Sequence, residues 1–196
     1  ALHIAPFGFD DQTLYFRAHW RTDRDIRSEG GPSPFDLPFI LMRGRGRFVG
    51  CAVQTGVGAV LNTARVEPGA TVLIQGLGGI GLSTVQGTRI AGAARVIVSD
   101  PVAARRDAAI AMGATHAVDP LNEDLGARVM QLTDSIGVDY AFETAGVAAL
   151  IESCLALTRR GGMTVCVGAP PFDQSVTIEN VVMFASSAKR LCGCLL

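Results

Sequence analysis

The 196-residue sequence has few charged and few aromatic side chains, and its charges nearly cancel. Charged residues make up 18% of the chain and aromatic residues 6%, and the formal net charge at pH 7 is −1. Such a chain lacks the basic surface that general nucleic-acid or membrane-surface binding requires. No apolar run is long enough for a membrane-spanning helix. We therefore expect neither nucleic acid nor a membrane as a partner.

Two further features are missing, a secretory signal and a cysteine framework. The first residues lack the basic and apolar regions of a signal sequence, so the expected location is cytoplasmic. Five cysteines form an odd set without the regular spacing of disulfide-rich domains. A chain of this length can bury a hydrophobic core without cross-links, so we expect reduced thiols.

Regular patterning is also missing from residues 1–49. The stretch TLYFRAHW at 13–20 has the composition of a short strand, but its alternation is poor. The basic cluster RGRGR at 43–47 could contact phosphate or form a solvated loop. Residues 1–49 are therefore left as an unassigned segment.

From residue 50 onward, short apolar segments alternate with helical ones. Strands are predicted over 71–76, 94–100, 115–119, 137–144 and 162–168, with a sixth opening in 189–196. Helices are predicted over 52–66, 79–92, 101–113, 122–134 and 147–161. This order indicates parallel strands joined by crossover helices. We predict an α/β fold over residues 50–196, a Rossmann-type doubly wound parallel sheet with helices on both faces.

The first of these strands runs directly into a G-x-G-x-x-G segment, Gly76-Leu77-Gly78-Gly79-Ile80-Gly81, which opens a predicted helix. Gly76 permits a tight turn, Gly78 would let a pyrophosphate approach the backbone, and Gly81 would let the helix lie close to the strand. The helix start adds unpaired N–H groups and a partial positive charge. The six residues are predicted to bind the phosphates of a dinucleotide.

An acid ends the next predicted strand. Asp100 stands nineteen residues after Gly81, where a carboxylate can accept hydrogen bonds from the adenosine ribose and would repel the 2′-phosphate of NADP. The sequence therefore favours NAD. Arg105 either contacts the ribose or the adenine edge, or is a solvated helix side chain.

These motifs resemble the coenzyme-binding domain of zinc-dependent, medium-chain alcohol dehydrogenases. The likeness covers residues 50–196 and rests on the run CAVQTGVGAV…VIVSD at 51–100, GVDYAFETAG at 137–146, RRGGMTVCVGAPP at 159–171 and KRLCGCLL at 189–196. It implies hydride transfer between an alcohol or aldehyde and NAD.

The resemblance also implies roles for individual residues. Thr55 would be a catalytic-site residue near the nicotinamide, beside a zinc ligand at Cys51, and Ile80 would pack against the nicotinamide. The remaining residues implied to bind the cofactor, besides Asp100 and Arg105, are Thr144, Ala145, Val167, Gly168, Ala169, Cys194 and Leu196.

The zinc site is where the sequence departs from the family. A catalytic zinc needs three protein ligands and an open position, and Cys51 alone matches the family's set. Two readings stay open: an NAD-dependent alcohol dehydrogenase lineage, or a non-catalytic fragment that binds NAD alone. A zinc-free NADPH reductase is a third, and Asp100 argues against it.

Assembly is the last expectation. The family pairs coenzyme domains through an edge strand, which would fall within SVTIENVVM at 175–183. Because an unpaired edge strand invites association, a homodimer is expected; the alternative is an edge covered by a loop.

Overall fold

The computed structural model describes residues 2–9, 13–20, 38–42, 52–171, 173–178 and 180–194. The chain divides into two compact units, Ala1–Arg47 and Phe48–Leu196. Cys51, Leu196 and the RGRGR cluster lie outside the described residues. No helix among the described residues is long and apolar enough to cross a membrane.

The first unit contains a three-stranded antiparallel sheet. Its strands are β1 (Leu2–Phe9), β2 (Thr13–Trp20) and β3 (Pro38–Met42), in the order β1-β2-β3. The central strand β2 coincides with the TLYFRAHW segment, which has the composition of a strand but lies in the part of the chain that the sequence left unassigned. Its poor alternation did not prevent pairing on both sides, Ala18 with Ile4 and Phe16 with Phe39.

The second unit alternates strands and helices. Its strands are β4 (Thr71–Gln75), β5 (Arg95–Ser99), β6 (His116–Val118), β7 (Val138–Glu143), β8 (Thr158–Cys166) and β9 (Arg190–Gly193). Its helices are α1 (Gln54–Gly58, continued as a π-helix over Ala59–Ala64), α2 (Gly79–Ile90), α3 (Ala103–Ala111), α4 (Leu125–Leu132), α5 (Ala148–Leu157) and α6 (Val181–Ser187).

The six strands of this unit form one parallel sheet in the order β6-β5-β4-β7-β8-β9. The direction in which strands are added reverses between β4 and β7. Strands β5 and β6 follow on one side of β4, and β7, β8 and β9 follow on its other side. In such sheets the carboxyl ends of the strands flanking the reversal form a crevice that receives ligands. The predicted α/β Rossmann-type fold is confirmed.

The core lies on both faces of the sheet. Along β4, Val72 and Ile74 join one buried apolar cluster and Leu73 joins another. Along β5, Val96 and Val98 join the first of these clusters and Ile97 joins the second. Since successive side chains of a strand point to opposite faces, both faces of the sheet are covered.

Two glycines let α1 lie directly on α2. A Cβ at Gly56 would stand 2.5 Å from the Ile80 carbonyl oxygen and 2.8 Å from the Thr84 nitrogen, and one at Gly87 would stand 3.2 Å from the Val57 Cα. The two helices therefore touch through their backbones, and any larger residue at Gly56 would push them apart.

Two predicted elements are wrong. Residues 158–161 belong to strand β8 rather than to the end of a helix, because α5 stops at Leu157 and Thr158 pairs with Val138. The predicted edge strand over 175–183 is also absent, since α6 begins at Val181 and the described sheet ends at β9. Asn180 starts this helix, because its Oδ1 accepts the Met183 N–H at 2.9 Å.

Candidate functional site

The glycine turn lies at the carboxyl end of β4. Gly76 has a φ of +91°, a conformation that favours glycine. A Cβ at Gly81 would stand 1.9 Å from the Gly76 carbonyl oxygen, so only glycine lets α2 start this close to the turn. A Cβ at Gly78, by contrast, would meet nothing within 4 Å. The open side of the turn is therefore at Gly78.

The start of α2 keeps its backbone donors accessible to a ligand. Its N-cap residue, Gly78, is exposed and has no side chain to cap the first turn. Helix α4 differs, since its N-cap Asp124 accepts the Ala127 N–H at 3.0 Å. An uncapped helix start with partial positive charge is suited to an anion such as a pyrophosphate.

Asp100 connects the end of β5 to the glycine turn. Its Oδ2 accepts the Leu77 N–H at 2.7 Å, and its Oδ1 accepts the Val102 N–H at 2.8 Å. The residue is only 3% exposed. An ionised carboxylate has about four acceptor positions, so two remain after these bonds. Asp100 thus also fixes the turn, a role that sequence reasoning missed.

Two adjacent arginines near Asp100 differ in their freedom. Arg106 donates to the Asp100 carbonyl oxygen at 2.7 Å and to Asp119 Oδ2 at 2.9 Å. Arg105 has a side chain 53% exposed, with Nη1 3.5 Å from Asp100 Oδ2. Arg105, the residue singled out from the sequence, is therefore the arginine able to reorient toward a ligand beside Asp100.

Thr144 and Ala145 follow β7 and face the glycine turn. The Thr144 hydroxyl donates to the Gly76 carbonyl oxygen at 2.6 Å, within reach of the Gln75 carbonyl at 3.1 Å. Because that hydroxyl carries one hydrogen, it braces the turn and has no second hydrogen to donate. Ala145 is exposed, and its Cβ would stand 2.8 Å from a Cβ at Gly76.

Val167, Gly168 and Ala169 follow β8 and pack on the loop after β7. Val167 is buried, Gly168 half-buried and Ala169 exposed. A Cβ at Gly168 would stand 2.1 Å from the Gly146 nitrogen. This glycine is required by the contact between the two loops, in addition to any approach of a ligand.

Glu143, the last residue of β7, is a buried acid that sequence reasoning missed. Its side chain is fully buried, and its Oε1 accepts the N–H groups of Ala145, Gly146 and Val147 at 2.8, 2.7 and 3.2 Å. Its position in the sequence could have identified it, because Glu143, like Asp100, is an acid at the end of an apolar strand.

The remaining predicted residues lie around the same end of the sheet. Thr55 is buried in α1, next to the Gly56 that touches α2, and Ile80 is half-buried on the first turn of α2. Cys194 follows β9, its N–H donates to the Cys166 carbonyl oxygen at 2.9 Å, and its sulfur accepts the Thr63 hydroxyl at 3.3 Å. The described residues thus gather around the carboxyl ends of β4, β5, β7, β8 and β9.

Three thiols, those of Cys154, Cys166 and Cys192, are poor nucleophiles. Burial, reinforced by the negative charge of Glu143, raises the pKa of Cys166 to about 11. Burial raises the pKa of Cys154 and of Cys192 as well. Because the thiolate is the reactive form of cysteine, these residues are structural at neutral pH.

A zinc site cannot be built from the described residues. Among them, no group of three or more histidine, cysteine, aspartate or glutamate side chains could hold a metal ion. The proposed ligand Cys51 lies outside the described residues, so we derive no chemical step through zinc.

The strand order, the reversal between β4 and β7 and the glycine turn define a Rossmann-type domain. Residues 79–196 match the family model described as zinc-binding dehydrogenase. The chain therefore belongs to the zinc-binding dehydrogenase family, which confirms the resemblance inferred from the sequence.

Individual relatives agree with this assignment. A geraniol dehydrogenase of Castellaniella defragrans is 42% identical over 153 residues, 78% of this chain and 40% of the relative. The structure of benzyl alcohol dehydrogenase from Acinetobacter calcoaceticus has a TM-score of 0.72 at 26% identity, covering 80% of this chain and 44% of the other. A zinc-binding dehydrogenase structure from Sinorhizobium meliloti, bound to NADP, has a TM-score of 0.69 at 33% identity, covering 74% and 43%. The chain thus spans less than half the length of these relatives.

Proposed function

We propose that this chain is the coenzyme-binding part of an NAD-dependent oxidoreductase that transfers hydride between an alcohol or aldehyde and the nicotinamide. The observation that carries the proposal is the pairing of the open turn at Gly78 with the buried Asp100 carboxylate. The turn receives the pyrophosphate at the start of α2, and Asp100 accepts hydrogen bonds from the adenosine ribose. Relatives named as dehydrogenases of geraniol and benzyl alcohol support an alcohol or aldehyde substrate.

The preference for NAD over NADP follows from charge. Asp100 is buried, its Oδ2 is bonded to the Leu77 N–H of the glycine turn and its Oδ1 to the Val102 N–H before α3, so it cannot swing away from an incoming 2′-phosphate. A phosphate beside this carboxylate would meet like charge in a region of low dielectric. A relative that binds NADP gives a reason to test the preference directly.

Titration of the chain with NADH and NADPH is the deciding experiment. We expect NADH to bind at least tenfold more tightly, a difference of about 1.4 kcal/mol. Equal binding of the two would overturn the ribose role of Asp100, and absence of binding to either would overturn the dinucleotide site itself.

The catalytic part of the proposal concerns Cys51 and Thr55. Cys51 would be one zinc ligand, and zinc would supply Lewis acidity toward the alcohol oxygen when bound. Thr55 would lie near the nicotinamide, and its burial beside the start of α2 supports that position. Because a catalytic zinc needs three protein ligands, we expect the chain alone to bind NAD without oxidising alcohols. Chelator-sensitive formation of NADH from ethanol by the purified chain would contradict this.

Assembly and location complete the proposal. We propose a homodimer formed through β9 and α6, since Val181, Val182 and Met183 are 68%, 75% and 61% exposed next to this edge of the sheet. Sedimentation analysis would distinguish dimer from monomer. A cytoplasmic location is proposed because the four cysteines among the described residues are free thiols.

A further inference from the structure

Glu143 is a buried acid whose charge is not balanced by a neighbouring cation. The side chain is fully buried, and no ion pair formed among the described residues includes it. One carboxylate oxygen, Oε2, has no hydrogen-bond partner within the same part of the chain. Burying a carboxylate without a cation is costly, so its retention calls for an explanation.

The hydrogen bonds of Glu143 join two loops. Its Oε1 accepts three consecutive N–H groups of the loop over 144–147, which follows β7. Its carbonyl oxygen accepts the N–H groups of Val167 and Gly168, at 2.8 and 3.0 Å, in the loop over 167–169 that follows β8. A single residue therefore supports both loops on this side of the sheet.

The two loops also touch each other without intervening side chains. A Cβ at Gly146 would stand 2.8 Å from the Ala169 carbonyl oxygen, and one at Gly168 would stand 2.8 Å from Glu143 Oε2. Glycine at both positions leaves room for the carboxylate and for the close approach of the backbones. Loss of the carboxylate would release the loop 144–147, against which the loop 167–169 packs, while the bonds to the Glu143 carbonyl oxygen would remain.

A carboxylate holds the loop 144–147 more firmly than a neutral acceptor would. Hydrogen bonds to an ionised acceptor are roughly twice as strong as bonds between neutral groups. Sites that must receive a ligand benefit from loops fixed in advance, because the ligand then does not have to order them. The cost of burying Glu143 is consistent with such a role.

We propose that Glu143 is a positioning residue: its carboxylate fixes the loop 144–147, against which the loop 167–169 packs, in the shape that receives the nicotinamide half of the dinucleotide. The inference rests on the proposed function, since it assumes that NAD binds at this end of the sheet. Ligands limited to the adenine half depend on Asp100 and the glycine turn instead. Glu143 should therefore affect NADH and ADP differently.

Binding of NADH and of ADP by three variants of the whole chain tests this. Glu143→Ala removes the acceptor, and Glu143→Gln keeps a neutral acceptor of the same shape. Asp139→Asn is the matched control, because Asp139 lies on the same strand at its other end and accepts the Thr71 N–H at 2.7 Å. Unfolding in urea is measured alongside, so that binding is compared only between folded proteins.

We expect Glu143→Ala to weaken NADH binding about tenfold and Glu143→Gln about threefold, while ADP binding changes less than about twofold. The control should bind both ligands like the unmodified chain. If Glu143→Ala does not fold, Glu143→Gln alone carries the test. Unchanged NADH binding in the folded variants, or an equal loss for NADH and ADP, would overturn the inference. Failure of the unmodified chain to bind either ligand would overturn the proposed function and this inference with it.

A second readout reports the charge of Glu143 without any ligand. Burial is the largest cause and the negative charge of Glu143 the second largest cause that raise the pKa of Cys166 to about 11. Glu143→Gln should lower that pKa, so alkylation of Cys166 by iodoacetamide at pH 9, followed by mass spectrometry of its peptide, should become faster. An unchanged rate would contradict a charged carboxylate at this place.

Discussion

The two ends of the parallel sheet hold their acids in different ways. At the carboxyl end, which we call the carboxyl edge, Asp100 and Glu143 accept backbone N–H groups of loops. At the amino end, the amino edge, Asp139 is bonded to the Thr71 N–H and paired with Arg159 Nε at 2.5 Å. All three acids are anchored, but their cations differ: Asp139 has Arg159 in hydrogen-bond contact, Asp100 has the exposed Arg105 at 3.5 Å, and Glu143 has no ion pair among the described residues.

This difference separates two uses of a carboxylate. An acid in close contact with a cation and away from the ligand site, such as Asp139, contributes to stability. An acid held by backbone donors fixes a loop and keeps its negative charge near whatever binds there. The comparison predicts that changes at the carboxyl edge alter ligand binding, whereas changes at the amino edge alter stability.

The largest effect should come from Gly81 at the carboxyl edge. Gly81→Ala would place a Cβ 1.9 Å from the Gly76 carbonyl oxygen, so we expect a loss of about 3 kcal/mol in the free energy of unfolding and loss of NADH binding. Urea unfolding and NADH titration measure both effects. The matched variant Gly78→Ala, whose Cβ meets open space, should stay within about 1 kcal/mol of the parent yet bind NADH at least tenfold more weakly. Retained binding in Gly78→Ala would contradict the phosphate site.

The next effect concerns Asp100. Asp100→Ser should weaken NADH binding about tenfold and reduce the discrimination against NADPH, because both the ribose acceptor and the repulsion of a 2′-phosphate are lost. Titration with the two reduced cofactors measures the ratio. Asp107→Ser, an exposed acid on α3, is the control and should leave the ratio unchanged. A ratio equal to that of the parent in Asp100→Ser would remove Asp100 from cofactor selection.

A smaller effect is expected at the amino edge. Asp139→Asn should lower the free energy of unfolding by about 1 kcal/mol, because the pair with the partly exposed Arg159 is weakened while one backbone bond can persist. NADH binding should not change. Equilibrium unfolding and titration on the same sample check this, and a large loss of NADH affinity would break the distinction between the two edges.

The smallest effect is a pH dependence at His116, the first residue of β6. Burial, with the charges of Arg95 and Arg128, lowers the pKa of this histidine below its ordinary value of 6.5. The unfolded chain therefore binds a proton more readily, so stability decreases as the pH falls below 6.5. His116→Asn should flatten this part of the stability profile, measured by urea unfolding between pH 7 and 5, whereas an unchanged profile would exclude the histidine as its source.

The sequence predicts the geometry of the glycine turn well, because Gly76 and Gly81 each have a steric reason that their spacing reveals. The tight turn at Gly76 and the close approach at Gly81 follow from the position of G-x-G-x-x-G between a strand and a helix. Asp100 follows from the end of the next strand. Its bond to the Leu77 N–H does not, since a contact between residues 23 apart has no local pattern.

Other features could not be read from the sequence for physical reasons. Thr158 continues an apolar helical pattern, yet it starts β8 because pairing with Val138 outweighs local preference. The segment over 175–183 has strand-forming residues, but the Asn180 cap starts a helix within it. The three bonds of Glu143 depend on how the loop after β7 folds back, which no spacing rule describes.

The contact of α1 with α2 through Gly56 and Gly87 has a consequence for motion. Where backbones touch, neither helix can unwind without taking away the other's packing surface. The amide hydrogens of α1 and of the first turns of α2 should therefore exchange with solvent in one cooperative opening. A ligand that steadies the glycine turn would slow exchange around Thr55 as well, although it need not touch that helix.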